Sequence, residues 1–244
     1  MRERKISKAE PVTELRRVKI HESGEPLVDF LELCSDLRMD RPRFNYRRET
    51  VMRRGAAERL CRANQTLLKQ DLRIQIIEGW RPPFIQRRMY RAIWKQFQEK
   101  YPDKSENALK RIVNQFSAPM SPHSPPPHTT GGAMDLALCT LDGTPLDMQS
   151  PYEATDHASF PFDAPRLSDE ARRHRALLAD ALAEQGITNY PSEFWHYSYG
   201  DQGWAYRGGH EVAIYGAIEP PGWKPHAADV SDEALEFVDD HPAA

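Results

Sequence analysis

Three metal-type donors and a spare acid, set in two short runs, constrain this chain more than its hydrophobic pattern does. The first run is His128-Thr129-Thr130-Gly131-Gly132-Ala133-Met134-Asp135, and the second, later in the chain, is Glu193-Phe194-Trp195-His196. His128, Asp135 and His196 make two imidazoles and one carboxylate. That is the number of protein ligands a catalytic zinc ion takes while keeping a fourth position for water. Glu193 is then left over as a base beside the second imidazole. Between His128 and Asp135, the small residues Gly131, Gly132 and Ala133 allow the close backbone approach that a ligand loop needs.

A chain of 244 residues suffices for one substantial domain with extensions or for two small ones. Hydrophobic residues make up 39% and charged residues 28%, so a core can form but the surface must be very polar. The net charge of −3 is too near neutral to argue for a nucleic-acid partner. Residues 1–50 are rich in Arg and Lys and the C-terminal stretch is acidic, which reads as a solvated, ion-paired surface. Cys34, Cys61 and Cys139 are widely spaced and form no CxxC pair, a usage that suits a reducing compartment. No apolar stretch follows the basic N-terminus and none has the length of a membrane span, so the expected location is cytoplasmic.

Along the chain, residues 1–26 read as a polar arm, 27–218 as one domain and 219–244 as a peripheral Pro-rich, acidic tail. Leu27–Leu33 alternates loosely as a short strand. Apolar residues at helical spacing predict helices over 51–70 and 84–101, with a shorter one over 109–116. Leu72–Glu78 alternates with β-branched residues and predicts a strand. It is stopped by Pro82 and Pro83, so that Arg81 is presented at its end. Residues 117–127, with five prolines, must be an extended loop leading into the candidate site. Residues 131–138 predict a strand carrying Asp135, with the turn signal at Leu141-Asp142-Gly143-Thr144 returning the chain toward a second strand. Ser168 caps a helix that ends at Gly186, and 187–199 predict a strand broken at Pro191, with Glu193 on its irregular part. Helices with a few strands between them predict an α+β fold in one domain.

The runs His128-x6-Asp135 and Glu193-x-Trp195-His196, together with Trp80-Arg81-Pro82, resemble the zinc D-Ala-D-Ala dipeptidases, the VanX-type D,D-peptidases. Order and spacing agree over residues 27–200. Each motif alone is weak, while the three in register are specific. The resemblance implies the hedgehog/D,D-peptidase-like fold, with a small central antiparallel sheet and flanking helices. It implies one Zn2+ per chain on His128, Asp135 and His196, Glu193 as catalytic base, and Arg81 stabilising the developing oxyanion of a small D,D-dipeptide. Met148-x-x-x-Tyr152-Glu153 is similar to the family segment whose acid lies near the substrate ammonium, which makes Glu153 a substrate-binding candidate.

The chain departs from the family in one motif. The serine expected two residues before the first ligand is Pro126 here, whereas a Ser-x-His occurs earlier as Ser121-Pro122-His123. His123 is therefore the alternative first ligand, at the cost of an insertion that His128 does not need. Two other functions are compatible with the motifs: a D,D-carboxypeptidase or cell-wall peptidase acting on longer peptides, and a zinc-dependent module that binds a peptide without cutting it. Glu193 and Arg81 argue against the second, since neither is required to hold a metal.

Overall fold

The structure, a computed structural model, describes residues 11–114, 116–153 and 156–236. In chain order, α1 (Val12–Leu15) is followed by β1 (Lys19–Ile20), β2 (Leu27–Asp29) and α2 (Phe30–Leu33). Next come β3 (Arg38–Met39), β4 (Val51–Arg53), α3 (Arg54–Leu68) and β5 (Leu72–Glu78). The helices α4 (Pro83–Lys100) and α5 (Glu106–Val113) precede the proline-containing loop and β6 (Ala133–Thr140). The chain continues through α6 (Asp169–Ala183), β7 (Thr188–Asn189), β8 (His196–Ser198), α7 (Gln202–Gly208), β9 (Val212–Ala213) and α8 (Ala227–Val230).

Alternation along β6 sorts the centre of the molecule into two faces. Met134, Leu136 and Leu138 point one way and Ala133, Asp135 and Ala137 the other, as the two-residue repeat of a strand requires. Cross-strand partners share a face, so Ile76 opposite Leu136, Ile74 opposite Leu138 and Tyr197 opposite Met134 extend the apolar side across three strands. That side is covered by α3, through Ala56, Leu60, Ala63 and Leu67, and by α6, through Leu178, Ala181 and Leu182, all in one buried cluster. Burying each leucine among them stabilises the fold by about 1.5–3 kcal/mol. The opposite face carries the polar residues.

The main sheet has five strands in the order β3-β5-β6-β8-β7. It corrects the purely antiparallel expectation at one edge, because β3 runs parallel to β5 while the other three pairs are antiparallel. The cause is the connection: α3 lies between β3 and β5 and carries the chain back to the end from which it started, which makes the two strands parallel. Leu27–Leu33 is likewise only half a strand. Asp29 accepts hydrogen bonds from the N–H groups of Leu31 and Glu32 and starts α2 at Phe30. The turn after β6 returns only as far as a single bridge between Cys139 and Pro145.

Both ends of the described chain are tied down. Lys19 and Ile20 pair in parallel with Val212 and Ala213, so the segment read as an arm contributes a strand. Residues 219–236 lie largely exposed but are anchored at a few points. Ala234 is fully buried with Tyr46, Ile85 and Met89, and Trp223 packs edge-on against Trp80 with ring centroids 5.8 Å apart. The remaining residues of the two predicted tails, 1–10 and 237–244, lie outside the described residues. Cys34 and Cys139 are buried, Cys61 is half-buried, and all three are free thiols.

Arg175 of α6 is completely buried and makes no salt bridge among the described residues. It donates instead to the carbonyls of Met148, Ser159, Pro161 and Phe162, and lies 3.8 Å from the centroid of the Phe194 ring. Burial pulls its pKa down to about 10. One cation thus holds the 148–162 loop in shape and packs it against the segment that precedes His196. Arg175→Met, which fills the space but strands four carbonyls, is expected to lower stability by about 3–5 kcal/mol. Urea unfolding checks this as a reduced midpoint with unchanged slope.

Candidate metal centre

Asp135 sits in the middle strand with Glu78 opposite it on one side and His196 opposite it on the other. The Glu78 partnership depends on a β-bulge. Ile76 pairs with Leu136, the register then shifts, and Glu78 rather than Ile77 faces Asp135. Without the bulge, an isoleucine would be aimed at a buried carboxylate. His196 opens β8 just after an irregular turn, and Glu193 lies in that turn, as the break at Pro191 predicted.

The extended loop does not run straight into β6 but tightens into a single 3-10 turn over Pro127–Thr130, closed by Gly131 in the left-handed conformation at φ 72°. The hydroxyls of Thr129 and Thr130 donate back to the carbonyls of Pro126 and Pro127, which holds the turn. Gly131 is required by conformation and by space, and Gly132 by space alone. A Cβ on Gly131 would lie 2.6 Å from a methyl carbon of Leu27, and one on Gly132 would lie 2.3 Å from the Tyr199 carbonyl oxygen.

The three donors converge. Asp135 Oδ1 lies 2.9 Å from His196 Nδ1 and 3.2 Å from His128 Nε2, and one donor atom from each residue falls within 4.8 Å of the others. All three are buried, with relative exposures of 6–8%. His123, the alternative ligand, is exposed and stands outside this cluster. The donor chemistry fits zinc, which takes imidazole nitrogen and carboxylate oxygen. The orientation of His128 fits as well. Its Nδ1 lies 2.9 Å from the Gly79 carbonyl oxygen, an acceptor that requires the proton on Nδ1 and leaves the Nε2 lone pair facing Asp135.

Electrostatics divide the acids of the site by role. Burial raises the pKa of Asp135, but charge and hydrogen bonding from His128 and His196 outweigh it and hold the carboxyl well below the usual range. Burial also works against charge on His196, yet the hydrogen bond and charge of Asp135, helped by Glu193, raise its pKa. Glu193 moves the opposite way from Asp135. Its surroundings desolvate it and Asp135 repels it, and together these outweigh the attraction of His196, His128 and Arg43, so its pKa is raised. An acid held as an anion beside an acid poised nearer neutrality is the arrangement expected of a ligand next to a base.

Arg81 follows β5, where its backbone N–H donates to the His128 carbonyl at 3.1 Å. Its guanidinium is held by residues the sequence reading did not single out. Nε donates to Glu78 Oε1 at 2.9 Å, a terminal nitrogen donates to Glu78 Oε2, and the other donates to Gln86 Oε1 at 2.9 Å. The Tyr46 hydroxyl donates to Glu78 Oε1 as well. Burial pushes the Glu78 pKa up, but Arg81 outweighs it and the carboxyl is held below its ordinary value. A signal for Glu78 was present in the sequence: an acid at the end of an apolar strand, three residues before Arg81. Gln86 and Tyr46 had no such signal.

Glu153 is not brought to this cluster. It is exposed on the 149–166 loop and lines a surface depression with Tyr152, Asp156 and Arg166, to which none of the three donors contributes. The two loops flanking the site do meet: Phe116 packs edge-on against His157 (5.9 Å), His157 against Phe160 (4.6 Å), and Phe160 against Trp195 (4.6 Å).

Known proteins resemble this chain in the same region. A protein that bears the name D-alanyl-D-alanine dipeptidase, from Synechocystis sp., is 29% identical over 196 residues, spanning 69% of this chain and 79% of its own. Two solved structures overlap it at a TM-score of 0.40 each. One is the vancomycin-resistance D,D-pentapeptidase VanY in complex with Zn(II), at 13% identity over 64% of this chain and 78% of its own. The other is the LD-carboxypeptidase LdcB, at 16% identity over 79% of this chain and 76% of its own. At such scores the likeness bears on neither fold nor chemistry. The family model described as D-Ala-D-Ala dipeptidase matches residues 41–212, more than half of the chain and all five residues around the buried cluster, and the chain belongs to that peptidase family.

Proposed function

We propose that this protein is a zinc-dependent dipeptidase that hydrolyses a small D,D-dipeptide, D-Ala-D-Ala in the first instance, on a fold of the D,D-peptidase type. The observation that carries the reading is the convergence of His128, Asp135 and His196 on one buried point, with Glu193 and Arg81 beside it, in a chain of this family. A module that only bound a peptide would need neither the raised Glu193 nor a fixed arginine.

His128, Asp135 and His196 are the residues that would hold the metal. When bound there, zinc supplies a water of pKa lowered toward ~7 and a Lewis acid for the peptide carbonyl. Glu193 takes the proton from the attacking water and returns it to the leaving amine nitrogen, a double duty that a raised carboxyl pKa favours. Three of the five N–H groups of Arg81 are engaged by Glu78 and Gln86, which leaves two for the carbonyl oxygen as its charge develops. A donor placed in this way contributes roughly 3–4 kcal/mol to the transition state. Glu153 remains the candidate for the substrate ammonium and requires the 149–166 loop to bring it inward. The aromatic contacts from Phe116 to Trp195 join the two flanking loops and favour a small, enclosed substrate over a long peptide.

The deciding experiment offers zinc-loaded protein free D-Ala-D-Ala beside an N-acylated D-Ala-D-Ala peptide. Release of alanine from the free dipeptide alone is the expected result, whereas cleavage of the acylated peptide makes the protein a D,D-carboxypeptidase. Glu193→Ala should abolish turnover, and Arg81→Ala should lower kcat by roughly 10²–10³-fold with zinc still bound.

Zinc in about hundredfold excess over its Kd should raise the unfolding free energy by ~2.7 kcal/mol. Asp135→Ala should lose both that gain and the bound ion in calorimetry. The raised Glu193 pKa has a further consequence for the metal-free protein. Between its unfolded and folded pKa values the folded state holds the proton more tightly, so stability falls as pH rises through that window. Glu193→Gln should therefore stabilise the metal-free protein at pH 7, with the gain shrinking toward pH 4. Urea midpoints across that range would show it.

A further inference from the structure

We infer that the C-terminal segment 226–236 positions Arg81 by way of the Tyr46 hydroxyl, which makes Tyr46 a positioning residue for the peptidase reaction; the kinetic part of this rests on the function proposed above. Tyr46 lies between β3 and β4, outside the named strands. Its hydroxyl nevertheless meets Glu78 Oε1, the same oxygen that accepts the Arg81 Nε–H. The plane of that carboxylate fixes the plane of the guanidinium, because the two form a paired fork. The Tyr46 hydroxyl, the third donor to the carboxylate and the second on Oε1, stops it from rotating.

What holds Tyr46 is the C-terminal segment. Three consecutive residues of the stretch donate to it: Asn45 N–H to the Glu236 carbonyl (3.3 Å), Tyr46 N–H to the Ala234 carbonyl (2.8 Å) and Arg47 N–H to Asp229 Oδ1 (2.9 Å). The Asn45 side chain adds a bond to the Glu233 carbonyl at 3.2 Å. Asp229 is 2% exposed and its second oxygen accepts the His226 N–H at 2.6 Å, so the carboxylate is committed to this join. Arg88 of α4 donates to the carbonyls of Asp229 and Ser231 and fixes the segment to the helix that also carries Gln86. The Tyr46 ring is enclosed by Ile85, Met89 and Ala234. Residues 226–236 lie beyond the 41–212 stretch that the family model matches.

The test uses the whole zinc-loaded chain and two variants. Tyr46→Phe keeps the ring and removes the hydroxyl, while Asp229→Ala breaks the join without touching Tyr46. The first readout is solvent exchange of the Arg81 Nε–H by ¹⁵N NMR, with the signal assigned by its loss in Arg81→Lys. Exchange should quicken about tenfold in both variants, and kcat should fall about tenfold with KM changed less than about twofold. In the Arg81→Lys background, Tyr46→Phe should cost nothing further. Unchanged Nε–H exchange in both variants overturns the inference, and so does an equal loss of activity with and without Arg81. If the unmodified protein cuts neither D-Ala-D-Ala nor its acylated form, the proposed function fails, and the exchange rates alone decide the positioning role.

Discussion

A buried carboxylate between two imidazoles is the interaction on which the rest of the arrangement depends. Asp135 is almost removed from water, and an ion there would be strongly unfavourable if it stood alone. His128 and His196 make it tolerable, at 3.2 and 2.9 Å, and each must be delivered by a different device. His196 comes by sheet register, directly across from Asp135. His128 comes by a 3-10 turn whose closing glycines permit a backbone approach that any side chain would block. The sheet supplies rigidity and the turn supplies reach.

The same sheet explains how a polar site and a dry core share one strand. With a repeat of two, every other residue of β6 faces α3 and α6, and Asp135 falls on the other side. A slip of one residue would bury the acid among leucines. The bulge at Ile77 is the local exception that spares the apolar face while turning Glu78 toward Asp135. Glu78 then engages Arg81, so a second charged pair is built one strand away from the first.

Around these pairs, buried cations are satisfied mainly by backbone carbonyls. Arg175 is satisfied by four carbonyl groups, and Arg53 by the carbonyls of Glu25, Thr130 and Gly216 together with Glu22. Each buried cation ties a loop beside the site to the core. Glu193 is the opposite case, an acid whose desolvation and repulsion by Asp135 outweigh the attraction of His196, His128 and Arg43, so that it is harder to ionise. That choice lowers the stability of the metal-free fold and places a proton acceptor where chemistry would use it.

Much of this was legible in the residues themselves. Periodicity located α3, α4, α6 and β5 to within a few residues, because amphipathic spacing is a local property of the chain. The donor types and their small-residue spacing singled out His128, Asp135, His196 and Glu193, since metal and proton chemistry restrict which side chains can serve, and the prolines that end β5 pointed to Arg81. What tertiary structure decided was everything that depends on distant segments meeting: the placement of His128 beside Asp135 and His196 while His123 stays exposed, the bulge that aims Glu78, the parallel edge strand, and the exposed position of Glu153. Tyr46 and the segment 226–236 were invisible beforehand for the same reason. A tyrosine in an irregular stretch and an acidic tail carry no pattern, and only the folded chain brings the one under the other and both to the side of Arg81.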